Sequence, residues 1–490
     1  MIRPKLRNIM FVGTGSDVGK SIINAAFCRI FKQDGFSPAP FKAQNMSLNS
    51  YATPNGCEIG RAQAVQAEAC QIECSTEMNP ILIKPTSYTN AQIILNGKPM
   101  GNKSAMEYFN GTDRDMLFSE AMKSFNILDK IYNPIVIEGA GSISEVNLWD
   151  RDITNMRVAL EIKAAVFLIA DIDRGGVFGS VYGTLQLLPE IERKLIRGII
   201  INKFRGDIRL FEDGKKKLEE LCGIPVVSVI PYFSDIYIDQ EDSVMVDEKN
   251  FEATENKINI AVILLRHMSN FTDFNMLEHI PGIQLYYAKN ITGLLKADIV
   301  IIPGSKNTIS DMIYLRDKGL ASEIIRMHKN GTPVYGICGG FQIMGKEIND
   351  PYHVEGDIET IPGLGILPVI TILNSDKITE QCRFKFRNME NTGAGYEIHM
   401  GETVAEYESP LCITGTKKKD GFFLNGKTWG TYIHGIFDND FIIKSILKEI
   451  KKESGITFDN NKFKNEQYDK LAKHVRLNSN MDYIYKTINN

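Results

Sequence analysis

Residues 11–21, FVGTGSDVGKS, connect an apolar run to a segment with helical spacing. The run NIMFVG (8–13) predicts a buried strand, and SIINAAFCRIF (21–31) predicts a helix. A glycine-rich turn at a helix N-terminus binds phosphate through backbone N–H groups, while a lysine neutralises the phosphate charge and the next hydroxyl holds Mg²⁺. The stretch therefore predicts a nucleotide-binding loop in an α/β domain.

This phosphate loop differs from the strict spacing at one position, because Thr14 stands where a glycine is expected. We expect Mg²⁺ at Ser21, with Asp17 either reaching the metal or capping the turn. The alternative is a glycine-rich turn with an incidental Lys-Ser pair. The residues predicted to bind ATP in the loop are Gly13, Thr14, Gly15, Ser16, Asp17, Gly19, Lys20 and Ser21.

Further apolar runs in the first half lack polar alternation, which is typical of strands buried on both faces of a parallel sheet. Two of them end in carboxylates, Glu138 in VIEGAGS and Asp171 in LIADIDRGG. Ligands bind at the carboxyl ends of parallel strands, so either residue could hold Mg²⁺, although caps or salt bridges are the simpler alternative. Asn202, at the end of GIIIN, is predicted to contact adenine through its amide.

Composition indicates a globular protein with more than one domain. The chain has 490 residues, of which 43% are hydrophobic, and a formal net charge of −4. This charge makes nucleic acid an improbable partner, and no apolar run is long enough to predict a membrane span. The start, MIRPKLRNIMFVGTG, is predicted to form a first strand and not a signal peptide, so we expect a cytoplasmic protein.

The order of the motifs predicts several regions. Acidic, polar residues 239–257 form the best linker candidate, and a second α/β pattern follows from INIAVILL (258–265). The predicted regions are 1–238, a P-loop nucleotide-binding domain; 239–257, the linker; 258–450, the second α/β domain; and 451–490, a helical tail. Apolar residues at helical spacing in the tail are Tyr468, Leu471, Val475, Ile484 and Ile488.

In the second domain, PVYGICGG (333–340) places Cys338 on a turn between a predicted strand and a predicted helix. A thiol at a helix N-terminus is stabilised as the thiolate, so this position suits a nucleophile. The alternative is an ordinary buried cysteine, which is how we interpret the other seven cysteines.

A thiol nucleophile needs a base and an oxyanion hole. His434 follows the strand-like KTWGTYI, and His399 in GYEIHMG competes with it. The predicted oxyanion-hole residues are Gly304, Ser305 and Gly339.

Longer motifs carry a family resemblance. YGICGGFQIMG and GTYIHGIF resemble the class I glutamine amidotransferases, and GTGSDVGKS with VIEGAG is similar to the dethiobiotin-synthetase group of P-loop enzymes. Their order, together with PFKAQNMSLNS, GRAQAVQAEA, SNFTDF and GYEIHMG, resembles the cobyric acid synthase family. The resemblance implies an α/β fold: a dethiobiotin-synthetase-like parallel-sheet domain followed by a flavodoxin-like class I glutaminase domain. It implies that residues 1–238 form a P-loop ATP-dependent synthetase domain and residues 258–450 a class I glutamine amidotransferase domain.

The resemblance also implies a reaction. Its substrates would be ATP with Mg²⁺, glutamine and a corrinoid, adenosylcobyrinic acid a,c-diamide, amidated at its b, d, e and g carboxylates to adenosylcobyric acid. ATP would phosphorylate each carboxylate, and ammonia released from glutamine at Cys338 would displace the phosphate. Residues that the resemblance places in the nucleotide or corrinoid pocket are Lys42, Gln44, Asn45, Lys84 and Asp171.

One feature departs from many class I glutaminases, in which a glutamate two residues after the histidine orients its ring. Here the sequence is His434-Gly435-Ile436, so we expect a weakly oriented base.

Three other functions stay open: a cobyrinic acid a,c-diamide synthase, a P-loop partition-type ATPase switch and a regulatory protein with an inactive glutaminase domain. A partition ATPase would carry an extra lysine where Gly15 stands, and nothing in the sequence specifies an oligomeric state.

Overall fold

The computed structural model describes residues 4–85, 90–104, 114–239, 252–450 and 459–489. The chain forms two compact units. The first contains Met1–Met46, Ile59–Asp239 and Lys462–Asn490, and the second contains Ser47–Glu58 and Gln240–Asn461. Most of the predicted linker, residues 240–251, lies outside the described residues.

A parallel sheet of six strands forms the centre of the first unit. Every residue of its strands Ile9–Gly13 and Ala165–Asp171 is buried, as expected when helices cover both faces. In spatial order, the strands are Val226–Pro231, Ile196–Phe204, Ala165–Asp171, Ile9–Gly13, Ile135–Glu138 and Ala39–Phe41. The predicted parallel α/β sheet is confirmed, and the phosphate loop leaves its central strand at the point where strand order reverses, a usual ligand crevice.

Smaller elements complete the first unit. A four-stranded sheet contains Gln44–Met46, Ile81–Pro85, Asn90–Leu95 and Lys98–Ser104. The α-helices of the first unit that precede residue 240 are Lys20–Gln33, Arg61–Cys70, Arg114–Ile131, Met156–Ile162, Val177–Leu187, Glu190–Arg193 and Glu212–Cys222. The 3₁₀ turns are Thr76–Met78, Val146–Arg151 and Ile208–Phe211.

The end of the chain belongs to the first unit from Lys462 onward. It forms the helices Asn460–Leu477 and Met481–Ile488. Its five apolar residues named above are all buried in one cluster with Phe11 and Phe27. These helices therefore complete the core of a unit that begins more than 450 residues earlier.

The second unit is built on a six-stranded sheet in which five strands are parallel and the edge strand Phe422–Asn425 is antiparallel. In spatial order, the strands are Ile283–Ala288, Ile258–Ile263, Ile299–Ile302, Val334–Ile337, Thr428–Thr431 and Phe422–Asn425. Ile337 is paired with Thr431, so Cys338 and His434 follow neighbouring strands at the same edge. This mixed α/β architecture agrees with the predicted fold class.

A second sheet in this unit contains a long hairpin, Val369–Phe386 with Thr392–Ala405, that the sequence analysis did not predict. Its other strands are Thr360–Pro362, Glu347–Asn349, Cys412–Thr414, Lys419–Asp420 and Ile433–His434. The α-helices are Asn275–Glu278, Ile291–Leu294, Thr308–Asp317, Leu320–Lys329, Gly339–Met344 and Asp440–Glu449, with 3₁₀ turns Phe271–Phe274 and Ile436–Asp438. The segment Ser47–Glu58 contains the strand Ser50–Ala52 and ends in the strand Glu58–Gly60.

Across the described ranges, we find no helix with the length and apolar character required to cross a bilayer.

Candidate active sites

The phosphate loop joins the strand Ile9–Gly13 to the helix Lys20–Gln33. Gly19 has a φ of +93°, and a Cβ atom at this position would lie 2.2 Å from Nδ2 of Asn202. Only glycine satisfies both constraints. The Lys20 ammonium donates hydrogen bonds to the carbonyl oxygens of Gly15 (2.9 Å) and Gly141 (2.8 Å), so it lies over the loop where phosphate charge would be neutralised.

Glu138 is the carboxylate closest to the loop hydroxyl. One of its oxygens accepts hydrogen bonds from Ser21 Oγ (2.7 Å) and Lys42 Nζ (2.9 Å), and the other accepts from Gln66 Nε2 (2.6 Å). Burial alone would raise the pKa of Glu138, but Lys42, Ser21 and Gln66 outweigh burial and lower it. An ionised carboxylate beside a hydroxyl fits the oxygen ligands that Mg²⁺ prefers.

Asp17 and Asp171 form ion pairs with a separate set of cations. Asp171 lies 2.9 Å from Lys203 Nζ, and Arg174 lies 3.5 Å from Asp17 and 3.8 Å from Asp171. In the described part of the chain, these carboxylates do not join Ser21 and Glu138, and no group of three or more His, Cys, Asp or Glu residues is arranged as a metal site. Of the predicted metal ligands, the structure thus brings together Ser21 and Glu138.

Asn202 contacts the phosphate loop itself. Its Nδ2 donates a hydrogen bond to the carbonyl oxygen of Val18 (2.8 Å). The amide that was predicted to contact adenine therefore supports the backbone immediately before Gly19.

The other predicted pocket residues of this unit lie on the strands Gln44–Met46 and Ile81–Pro85, which are paired. Asn45 and Lys84 are buried on them, and Gln44 is partly exposed. Asn45 Nδ2 donates a hydrogen bond to Gln63 Oε1 (3.0 Å). These buried polar groups suit a pocket for a polar ligand.

Cys338 lies on a sharp turn between the strand Val334–Ile337 and the helix Gly339–Met344. Its φ of 51° and ψ of −108° are rare for a residue with a side chain, which is a conformation that proteins retain mainly at functional positions. A Cβ atom at Gly340 would lie 1.9 Å from the carbonyl oxygen of Ile302, so the chain can turn this tightly only with glycine there.

His434 is held by a carboxylate that the sequence analysis did not identify. His434 Nδ1 is 2.7 Å from Asp273 Oδ2, and Gly435 N donates to Asp273 Oδ1 (3.0 Å). Both side chains are buried. Asp273 therefore orients the His434 ring, although the sequence has no glutamate two residues after this histidine. The only sequence signal was its place within SNFTDF, a motif whose residues had no assigned roles.

Electrostatics link this pair to the thiol. Burial alone would lower the pKa of His434, but the charge of Asp273, the neighbouring Cys338 and the hydrogen bond with Asp273 raise the pKa to about 10. Cys338, His434 and Asp273 thus have the arrangement of a nucleophile, a base and an orienting carboxylate.

The predicted oxyanion residues lie around the same turn. A Cβ atom at Gly304 would lie 3.3 Å from Cε1 of His434, and one at Gly339 would lie 2.6 Å from the backbone nitrogen of Ser305. The backbone of Gly339 and Ser305 is therefore closely packed at the turn that carries Cys338. The Ser305 hydroxyl donates a hydrogen bond to Asp311 (2.6 Å). The predicted oxyanion-hole role of Ser305 concerns its backbone N–H group and not this hydroxyl.

His399, the competing histidine, is engaged elsewhere. Its Nδ1 is 2.8 Å from the carbonyl oxygen of Gly401, its Nε2 is 3.0 Å from Glu397, and its ring stacks on Tyr432. Both ring nitrogens thus have partners other than the thiol, and the geometry favours His434 as the base.

Comparisons with known proteins agree with these two sites. Residues 9–244 match the family model of the CobQ/CobB/MinD/ParA nucleotide binding domain, and residues 259–441 match that of the CobB/CobQ-like glutamine amidotransferase domain. A cobyric acid synthase from Parabacteroides distasonis is 56% identical over 496 residues, which cover 100% of both chains. The chain belongs to the cobyric acid synthase family.

Other cobyric acid synthases extend the match. The protein from Bacteroides fragilis is 55% identical over 487 residues, covering 99% of this chain and 98% of the relative. The protein from Caldanaerobacter subterraneus subsp. tengcongensis is 44% identical over 500 residues, covering 98% of each. The cobyric acid synthase family therefore accounts for the presence of a phosphate loop and a cysteine turn on one chain.

Proposed function

We propose that this chain is a glutamine-hydrolysing amide ligase that uses ATP to amidate peripheral carboxylates of a corrinoid in cobalamin biosynthesis. The observation that carries the proposal is the pairing of a phosphate loop with a Cys338–His434–Asp273 arrangement in a chain that matches cobyric acid synthases over its full length. The expected substrate is adenosylcobyrinic acid a,c-diamide, with the b, d, e and g carboxylates converted to amides.

Glutamine hydrolysis would take place at Cys338. The thiolate attacks the amide carbon of glutamine, and the backbone N–H groups of Ser305 and Gly339 stabilise the resulting oxyanion. His434 gives its proton to the departing ammonia, while Asp273 holds the ring in place. Water then attacks the thioester with His434 as the base, which releases glutamate and restores the thiolate.

Carboxylate activation would take place at the phosphate loop. The loop N–H groups and Lys20 bind the phosphates of ATP, and Ser21 and Glu138 would hold Mg²⁺. Bound Mg²⁺ would neutralise charge on the transferring phosphate. The corrinoid carboxylate takes the γ-phosphate and ADP leaves; ammonia then attacks the acyl phosphate, the C–O bond to phosphate breaks, and an amide and inorganic phosphate form.

The deciding experiment is mass spectrometry of adenosylcobyrinic acid a,c-diamide after incubation with the protein, Mg-ATP and glutamine, with ATP omitted as the control. We expect stepwise acid-to-amide mass changes that require ATP and stop after four groups. A chain that acts at the a and c positions would leave this diamide unchanged. An unchanged diamide alongside continuing glutamine hydrolysis would overturn the corrinoid assignment and leave the glutaminase assignment in place.

Cys338→Ala and Lys20→Ala divide the reaction between the two sites. Cys338→Ala removes the nucleophile, so we expect amidation with glutamine to stop and amidation with ammonium to continue. Lys20→Ala is expected to stop amidation with either nitrogen source, because phosphate charge is no longer neutralised. Equal losses with both nitrogen sources in Cys338→Ala would contradict this division.

A cytoplasmic location stays a prediction from the sequence.

A further inference from the structure

Residues Ser47–Glu58, which we call the crossover segment, pack within the second unit although the chain on either side of them belongs to the first. The backbone of Ser50 exchanges two hydrogen bonds with the side chain of Asn270, at 3.4 and 3.2 Å. Phe271 N donates to Asn49 Oδ1 (3.2 Å). The segment is therefore bound to the two residues that begin the turn carrying Asp273.

The same segment reaches His434 through one aromatic ring. Tyr396 stacks on His434 with ring centroids 5.4 Å apart and an interplanar angle of 22°, and Tyr51 contacts Tyr396 edge-on at 4.6 Å. Asn270 Nδ2 also donates to the Tyr396 hydroxyl (3.1 Å). The His434 ring thus contacts a carboxylate and an aromatic ring. The crossover segment contacts Tyr396 itself and the residues Asn270 and Phe271 that precede Asp273.

Asn270 occupies a conformation that makes this connection sensitive. Its φ is 52°, it is buried, and it directly precedes the 3₁₀ turn Phe271–Phe274. A change in the segment that rotates Asn270 would displace the Asp273 carboxylate from His434 Nδ1. Displacements of about 1 Å in catalytic groups can cost about 10²-fold in rate.

Both flanks of the segment bind one carboxylate in the first unit. Lys42, five residues before Ser47, donates to Glu138 Oε1 (2.9 Å), and Gln66, eight residues after Glu58, donates to Glu138 Oε2 (2.6 Å). Glu138 is the candidate Mg²⁺ ligand of the phosphate loop. A cation held at its oxygens would compete with the Lys42 ammonium, so ligand binding there would act on the chain that enters and leaves the segment.

We propose that Asn270 and Tyr396 are positioning residues for His434, and that the crossover segment makes glutamine hydrolysis depend on the ligands bound beside Glu138. The inference rests on the proposed function, since it takes Cys338 and His434 to be the glutaminase. Such a link keeps ammonia release low until an activated carboxylate can accept it.

Three substitutions test the link. Tyr396→Phe keeps the ring on His434 and removes the hydroxyl, Asn270→Asp keeps a side chain that tolerates positive φ and removes the N–H donor, and Tyr51→Leu removes the ring of the segment itself. Tyr407, an exposed residue of the same unit, provides matched controls as Tyr407→Phe and Tyr407→Leu.

The first measurement is kcat and KM for glutamine hydrolysis, with and without Mg-ATP and the corrinoid diamide. The second is the rate of amidation with ammonium. The third is the rate at which iodoacetamide alkylates Cys338, which mass spectrometry follows. In the parent protein, we expect the ligands to raise both kcat and the alkylation rate. In the three variants, we expect kcat to fall about 10-fold or more, the response to the ligands to disappear, and KM and amidation with ammonium to stay within about twofold.

The outcomes separate this inference from the proposed function. If Cys338→Ala still hydrolyses glutamine, the proposed function fails. If Cys338→Ala is inactive but the parent protein ignores the ligands, or the three variants respond to them as the Tyr407 controls do, the link through the crossover segment is overturned. Loss of amidation with ammonium in the variants would likewise overturn it, because the damage would then extend beyond the glutaminase.

Discussion

Asp273 shows how the proposed nucleophile, base and carboxylate can be brought together although the usual sequence signature is absent. It lies 161 residues before His434 in the chain, yet it accepts from both the imidazole and the Gly435 N–H group. Triads depend on geometry and not on sequence position, so the expectation of a weakly oriented base does not agree with this structure. The His434 ring is held at Nδ1 by Asp273 and is stacked on the ring of Tyr396.

We expect Asp273→Asn to lower kcat for glutamine hydrolysis by about 10² to 10⁴-fold, because the neutral amide neither fixes the tautomer nor stabilises the imidazolium. Steady-state glutaminase assays measure the loss. Amidation with ammonium should be unchanged, and Asp317→Asn, at an exposed helix end, is the matched control. An Asp273→Asn variant that hydrolyses glutamine at the parent rate would remove Asp273 from the site.

A buried carboxyl group fixes the chain just before His434. Asp420, in the strand Lys419–Asp420, accepts hydrogen bonds from the Thr431 hydroxyl and from Tyr432 N (3.1 Å). It thereby fixes the residues between the strand Thr428–Thr431 and His434. Burial, together with the nearby charge of Glu397, raises the pKa of Asp420 to about 7.

This pKa predicts a pH dependence of stability. A carboxyl group whose pKa is raised in the folded state binds its proton more tightly there than in the unfolded chain, so stability falls as pH rises from about 4 to about 7. We expect Asp420→Asn to remove up to about 4 kcal/mol of that fall. Urea unfolding at pH 4, 5.5, 7 and 8 measures it, with Asp317→Asn as the control. Parallel curves for the parent and Asp420→Asn would contradict the assignment.

The C-terminal helices stabilise the first unit through their apolar face. Leu471 is fully buried in the helix Asn460–Leu477, whereas Leu477 at its end is 73% exposed. Leu471→Ala should lower the free energy of unfolding by about 2–5 kcal/mol, because it removes buried methyl groups and leaves a cavity. Leu477→Ala should change it by less than about 0.5 kcal/mol. Denaturant titration of both variants makes the comparison, and equal effects would show that the helix does not pack as described.

The path of the chain links the two units. The chain begins in the first unit, enters the second for Ser47–Glu58 and returns to the first at Ile59. It enters the second unit again at Gln240 and ends in the first unit from Lys462 onward. Neither unit is a continuous stretch of sequence. Boundaries drawn from composition, such as 238/239 and 450/451, therefore separate residues that fold together.

This path predicts that residues 1–239 will not fold alone, since they lack the apolar residues of 462–490 that complete their core. We expect that fragment to be insoluble and co-expression with residues 459–490 to recover folded, ATP-binding protein. Solubility and heteronuclear NMR dispersion measure the outcome. A stable fragment 1–239 with cooperative unfolding would show that the C-terminal helices are dispensable.

The chain contains both sites as local motifs, and those could be predicted. Eleven consecutive residues supply the strand end, the N–H groups, Lys20 and Ser21, and the glycines around Cys338 allow its turn, because in each case the chemistry comes from neighbours in sequence. Tertiary structure alone selected Asp273 for His434, gathered Ser21, Lys42 and Gln66 on Glu138, and brought the crossover segment to Tyr396. The reason is combinatorial: any of 60 acidic residues can pair with a distant histidine or lysine, and only the packing of strands and turns decides which one does.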